Sequence, residues 1–167
     1  MIGPPGTSAR RLAAAAAVAL LAGFGVPPSA AKDRLDLAPA SCRAQLRLFT
    51  TVATWCAACR NEIGRLRHLE RSFAPDRICM FAVPVDEKDD ATSLGKWMNE
   101  FDPPYSLLDT LSDARVAAVK RRVREELGEG VLPATIVTDR QGRVLATVAG
   151  SPTVSDIRRL LSQAHPD

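Results

Sequence analysis

Two cysteines separated by two residues, Cys56 and Cys59, carry the clearest chemistry in this chain of 167 residues. Such a pair can close into a disulfide or open to a dithiol, and the thiolate form is the nucleophile. The pair follows an apolar run over 46–52 that has the length of a buried strand, and it precedes a helix-like run over 60–73. A strand-to-helix turn places the first sulfur near unpaired N–H groups and the positive end of the helix dipole, which favours the thiolate. The sequence therefore predicts redox chemistry at Cys56.

The segments around the pair alternate between strand and helix patterns. An apolar run over 78–85 follows the first helix, so this part is predicted to be a β-α-β unit with parallel strands. Two amphipathic helices come next, the first capped by Asp90 and the second beginning near Ser112. A hairpin over 134–149 and a last helix capped by Thr153 complete the order. The prediction is an α/β domain whose central mixed sheet, built as β-α-β and then β-β-α, is flanked by helices.

The start of the chain has the composition of an export signal. Arg10 and Arg11 precede an apolar stretch over 12–26, and the small residues that end at Ala31 suit cleavage by signal peptidase. Cleavage after Ala31 and retention as an uncleaved membrane anchor both stay open. These patterns divide the chain into a signal peptide over 1–31, an N-terminal arm over 32–44 and one domain over 45–167.

The charge balance does not favour a nucleic-acid partner, and the cysteines fit an oxidising compartment. Loss of the expected signal removes two arginines and no acids, so the formal net charge falls from +3 to +1. Cys42 and Cys79 lie near the starts of two strands that are predicted to be parallel, so a second disulfide and two independent thiols both remain open. No second closely spaced pair accompanies Cys56 and Cys59, and therefore neither a metal site nor a cofactor is predicted.

The residues around the motif resemble the thioredoxin superfamily, and within it the exported TlpA/ResA-like thiol–disulfide oxidoreductases. The stretch from Ala53 to Glu62 is similar to the family pattern A-T-W-C-x-x-C-R-x-E. Further along, the sequence Leu132-Pro133-Ala134-Thr135 matches the loop that bears the superfamily's cis-proline. The resemblance covers roughly residues 45–162 and implies a thioredoxin fold.

The resemblance also implies a role for each matching residue. Cys56 is expected to attack a substrate disulfide, and Cys59 is expected to resolve the mixed disulfide that results. Pro133 is expected to be cis and to face both sulfurs. Trp55 is expected to flank the motif as a lid or as a substrate contact, and Leu132 is expected to contact the substrate.

One acidic residue has two open interpretations. The family assists proton transfer at the buried cysteine with a carboxyl group after the second strand, and Glu87 occupies the matching position. Its neighbour Asp86 is the less favoured candidate. The other interpretation of Glu87 is a solvated loop acid.

The resemblance implies a periplasmic or secreted thiol–disulfide oxidoreductase that reduces disulfides of other proteins. Its expected substrates are protein cysteines of the kind found in cytochrome c biogenesis or at copper sites, its expected electron donor lies in the membrane, and a monomer is expected. Ala53 stands where a peroxiredoxin would have threonine, which disfavours peroxide chemistry. The dipeptide Ala57-Ala58 gives no basis for choosing the redox direction. The competing hypothesis is a non-catalytic module that binds Cu(I) through the same two thiolates.

Overall fold

The computed structural model describes residues 1–3 and 33–164 of the chain. Most of the expected signal over 1–31, and the histidine at position 165, lie outside these described residues. Within the described part, no helix is both long enough and apolar enough to cross a membrane.

A five-stranded mixed sheet forms the centre of the described chain. Its strands are β1 Leu46–Val52, β2 Ile78–Pro84, β3 Ser106–Leu107, β4 Ala134–Asp139 and β5 Val144–Ala149. They lie in the order β3-β2-β1-β4-β5. The pairs β1–β2 and β2–β3 are parallel, whereas β1–β4 and β4–β5 are antiparallel. The predicted α/β class, the β-α-β unit and the hairpin are confirmed. The short edge strand β3 was not predicted, because two residues carry no recognisable period.

Helices flank this sheet. Within the described residues they are α1 Ala57–Ser72, α2 Ala91–Phe101, α3 Asp113–Leu127 and α4 Val154–Gln163. Capping boxes at Asp90 and Thr153 begin α2 and α4, which confirms both predicted caps. Helix α1 begins at Ala57 rather than at the predicted residue 60, because Cys56 itself is the N-cap.

The two faces of β1 are buried under different helices, since neighbouring residues of a strand point to opposite sides. Leu46 and Leu48 pack on one face with side chains of α1 and α4. Phe49 points to the other face, where it packs with Val119 of α3 and stacks on Phe81 with ring centroids 5.6 Å apart. The cysteine motif follows β1 directly, so a strand that is held on both faces fixes its position.

The segment over 33–44, expected to be an arm, packs against this domain. Leu35 and Leu37 are buried in the same apolar cluster as α3. The Leu35 N–H donates to the carbonyl oxygen of Gly142 at 2.7 Å. Gly142 has a φ of 80° in the β4–β5 turn, a backbone conformation that hairpin turns often require and glycine readily adopts.

Candidate redox-active site

Cys56 occupies the N-cap of α1. Its Sγ accepts the backbone N–H of Cys59 at 3.0 Å, and the two sulfurs are joined in a disulfide with an S–S distance of 2.16 Å. The first turn of α1 carries no acidic side chain that would offset the positive end of the helix. When the bond is reduced, the sulfur of Cys56 therefore lies where N–H groups and the helix dipole stabilise negative charge.

Both cysteines of the motif are buried. Cys56 is 3% exposed and Cys59 is 2% exposed, and both pack in an apolar cluster with Ile63 and the indole of Trp97. Trp55, in contrast, is 65% exposed. The two cysteines of the disulfide are therefore covered, whereas the side chain of the residue directly before them is exposed.

The carboxylate of Asp86 anchors the exposed indole of Trp55. The indole Nε1–H donates to Asp86 Oδ2, while Asp86 Oδ1 accepts the backbone N–H of Lys88 at 2.9 Å. The hydrogen bond from Lys88, followed in size of effect by that from Trp55, holds the pKa of Asp86 below its usual value of 3.8. Asp86 is thus kept as an anion that orients the side chain next to Cys56.

A second carboxylate of the same loop holds the residue before Trp55. Asp89 Oδ2 accepts the backbone N–H of Thr54 at 3.0 Å, and Asp89 Oδ1 accepts the Thr54 hydroxyl. The loop between β2 and α2 therefore fixes two consecutive residues of the turn that leads to Cys56. Nothing local in the sequence indicated this role of Asp89.

The structure places Glu87 on the surface of this loop. Its side chain is 94% exposed, and its Oε1 lies 3.8 Å from the Nζ of Lys120. Glu87, Trp55 and Leu132 line the same shallow depression of about 330 Å³. The part of Glu87 in proton transfer stays a prediction.

The loop before β4 meets the site from the other side. The peptide bond between Leu132 and Pro133 is cis, as the resemblance implies, and Leu132 packs against the cluster that contains both cysteines. The Ala134 N–H donates to Thr51 Oγ1 at 2.9 Å, and the Gly150 N–H donates to the Pro133 carbonyl at 2.9 Å. The loop is therefore tied both to the end of β1 and to the segment after β5. Its contact with substrate stays a prediction.

Glu62 ties α1 to the same region. Its side chain is 14% exposed, and its Oε2 accepts the backbone N–H of Ser151 at 3.2 Å. The neighbouring Gly150 has a φ of 73°, and a Cβ there would lie 3.3 Å from the Glu62 carboxyl group. In the sequence, Glu62 was only the last residue of the motif, and nothing local indicated its hydrogen bond with Ser151.

A second disulfide joins Cys42 and Cys79. The sequence alone could not decide between this disulfide and two independent thiols. Their Cα atoms are 6.4 Å apart. The pair lies at the beginning of β1 and β2, whereas Cys56 follows the end of β1. The two disulfides are therefore at opposite ends of the same strand.

Metal-ligating residues do not gather in the described part of the chain. Among those residues, no group of three or more His, Cys, Asp or Glu side chains is arranged to hold a metal ion. His68 lies on the exposed surface of α1.

The fold and the Cys56–Cys59 pair define a protein of the thioredoxin superfamily. More narrowly, the chain belongs to the AhpC/TSA family, whose model matches residues 32–147. A solved structure of a thioredoxin family thiol:disulfide interchange protein from Chlorobium tepidum TLS superposes with a TM-score of 0.54 at 20% identity, covering 75% of this chain and 83% of that one. This match confirms the fold.

Two curated proteins are similar in sequence. The thiol-disulfide oxidoreductase ResA of Geobacillus thermodenitrificans is 25% identical over 113 residues, which is 68% of this chain and 59% of the relative. The thiol:disulfide interchange protein DsbE of Pseudomonas aeruginosa is 27% identical over 123 residues, which is 74% of this chain and 61% of the relative. The chain thus spans about three fifths of the length of these relatives. The predicted resemblance to ResA-like proteins of the thioredoxin superfamily is confirmed.

Proposed function

We propose that this protein is a thiol–disulfide oxidoreductase that acts outside the cytoplasm and reduces disulfides in other proteins. One observation carries the proposal: Cys56 caps α1 and shares a disulfide with Cys59, whose N–H points to the Cys56 sulfur at 3.0 Å. A disulfide between residues this close in sequence closes a very small loop and constrains the unfolded chain less than a longer loop would, so a redox role explains it better than a structural one.

The proposed cycle begins from the dithiol. The Cys56 thiolate attacks one sulfur of a substrate disulfide, forming a Cys56–substrate bond and releasing the other substrate sulfur as a thiolate, which takes up a proton. The Cys59 thiol then loses its proton, and its thiolate attacks the Cys56 sulfur. This forms the Cys56–Cys59 bond and expels the second substrate sulfur as a thiolate, which takes up a proton. The substrate gains two electrons, and the Cys56–Cys59 disulfide must be reduced again by a dithiol donor.

The surrounding residues have supporting roles in this proposal. Leu132 and Pro133 receive an extended substrate segment, because proline leaves its neighbours' backbone groups free for pairing. Trp55 contacts the substrate from the other side, and Glu87 transfers a proton to or from Cys59. Ala53 occupies the position at which a peroxidatic site has threonine. This supports disulfide chemistry over peroxide chemistry.

The proposed redox direction, substrates and cellular location rest on different observations. The names of the ResA and DsbE relatives favour disulfide chemistry on proteins. Resemblance to this group favours reduction, with cytochrome c or copper-site cysteines as substrates and a membrane protein as electron donor. The Cys42–Cys79 disulfide and the signal-like composition over 1–31 support an exported protein.

Insulin reduction tests the proposal. With dithiothreitol as donor, we expect the wild-type protein to accelerate insulin precipitation and Cys56→Ser to return the rate to the dithiothreitol background. The double variant Cys42→Ala/Cys79→Ala is the matched control, because it removes the other cysteine pair and should keep the activity while it is folded. A wild-type rate equal to the background, or a fully active Cys56→Ser variant, contradicts the proposal.

A further inference from the structure

Two depressions beside the redox motif join into one groove. The smaller, of about 330 Å³, lies against Trp55 and Leu132. The larger, of about 820 Å³, extends to the first turns of α3. They share four lining residues: Val85, Asp86, Glu87 and Lys120. We call the combined depression the β2–α3 groove. It leads from the side chains that flank the disulfide to a surface outside the site described above.

Apolar side chains contribute to the lining of the β2–α3 groove. Three of them, Leu108, Leu111 and Val116, are only partly buried, although they pack against the buried cluster under α3. An apolar side chain laid on them would remove both surfaces from water, which is favourable in proportion to the area covered.

The rim of the groove has an excess of negative charge. Five carboxylates line the combined groove, against three cationic side chains, those of Lys88, Lys120 and Arg124. Two of these cations already face a carboxylate. Lys120 lies 3.8 Å from Glu87, and Arg124 lies 2.9 Å from Glu129. Within the part of the chain that the structure describes, no ion pair involves the rim residues Asp109 and Asp113.

From these features we propose that the β2–α3 groove binds the polypeptide segment next to the substrate's disulfide, and that this segment carries an apolar residue and a lysine or arginine. The inference rests on the proposed function, because the groove begins at the rim of the redox motif. The apolar residue packs on Leu108 and Leu111, and the basic residue lies near Asp109 and Asp113. Complementary charge at a partly exposed rim selects partners and speeds their encounter.

A binding experiment with peptides that cannot react tests this inference separately from the proposed function. The probes are two short fluorescent peptides with the same apolar residues, one with lysines and one with glutamates, and with serine in place of cysteine. We expect the oxidised protein to bind the lysine peptide about tenfold more tightly at low salt, and the preference to shrink at high salt. Equal binding of both peptides overturns the groove proposal even if insulin is reduced.

Matched variants locate the charge that matters. Asp109→Asn/Asp113→Asn should abolish most of the preference, whereas Glu70→Gln/Asp76→Asn, which removes the same charge near the other end of β2, should retain it. Asp109→Asn alone serves as a second variant, because Asp113 begins α3 and its loss can weaken that helix. An unchanged preference in the groove variants overturns the proposal. A concentration-dependent dimer that these variants abolish also overturns it, since a second copy would then occupy the groove.

Disulfide-bonded versions of the same peptides test the chemistry separately. We expect the ratio of kcat/KM for the lysine and glutamate peptides to follow the binding ratio. If the lysine peptide binds selectively but neither peptide nor insulin is reduced, the proposed function fails, and only the selective binding of peptides by the groove stands.

Discussion

Removal of the Cys42–Cys79 disulfide should cost much more stability than removal of the Cys56–Cys59 disulfide. The two cysteines of the first bond are separated by 37 positions, and the entropy lost by the unfolded chain on closing a loop of that length corresponds to about 4 kcal/mol. The second bond joins residues separated by 3 positions, for which the same relation gives about 2 kcal/mol. The Cys42–Cys79 bond also ties the segment over 33–44 to β2, so its loss removes one of the attachments of the segment that carries Leu35 and Leu37.

Equilibrium unfolding in guanidinium chloride measures this difference. The variants are Cys42→Ala/Cys79→Ala and, as the matched control, Cys56→Ala/Cys59→Ala, both kept oxidised. We expect the first variant to lose about 4 kcal/mol of unfolding free energy, and its amide protons over 33–44 to exchange faster. A loss below about 1 kcal/mol, or a loss no larger than that of the control, refutes the argument from loop length.

Three smaller perturbations test the local contacts. Hydrogen bonds hold the pKa of Asp86 below 3.8. The hydrogen bond between Trp55 and the Asp86 carboxylate should therefore be fully present at neutral pH and be lost only as the pH falls through that lowered pKa. Trp55 emission, in a variant without the other tryptophan, should therefore stay constant down to about pH 4, and a change between pH 7 and pH 5 would contradict this. Asp89→Ala should destabilise the oxidised protein by about 1–3 kcal/mol in urea unfolding, because two Thr54 donors lose their acceptor, and Thr54→Val should cost less; equal losses would argue against the double contact. Thr153→Ala should cost about 1 kcal/mol by the same method and Thr153→Ser almost nothing, whereas equal effects of the two changes would show that the cap hydroxyl has no role.

Local patterns predicted most of the fold. The apolar run that became β1 and the caps at Asp90 and Thr153 depend on residues close in sequence, and the structure confirms them. The start of α1 was placed too late, because Ala57 and Ala58 show no amphipathic period. Strand β3 pairs with β2 through only two residues, so its existence depends on the folded sheet rather than on its own composition.

The site likewise contains residues that local spacing predicted and contacts that exist only in the folded sheet. Cys56 and Cys59 were found because their spacing is local. The bond from Trp55 to Asp86 spans 31 positions and those from Thr54 to Asp89 span 35, so only the parallel pairing of β1 and β2 brings these residues together. The pairing of Cys42 with Cys79 depended likewise on a Cα separation that the sequence does not contain.

Trapping of a mixed disulfide tests most directly whether Cys56 is the attacking nucleophile. Reduced Cys59→Ser and reduced Cys56→Ser are each mixed with insulin, and the products are separated without reductant and mapped by mass spectrometry. We predict that Cys59→Ser accumulates a covalent adduct through Cys56, because the resolving thiol is absent, and that Cys56→Ser accumulates none. An adduct formed equally well by Cys56→Ser, or no adduct with Cys59→Ser, would contradict the account.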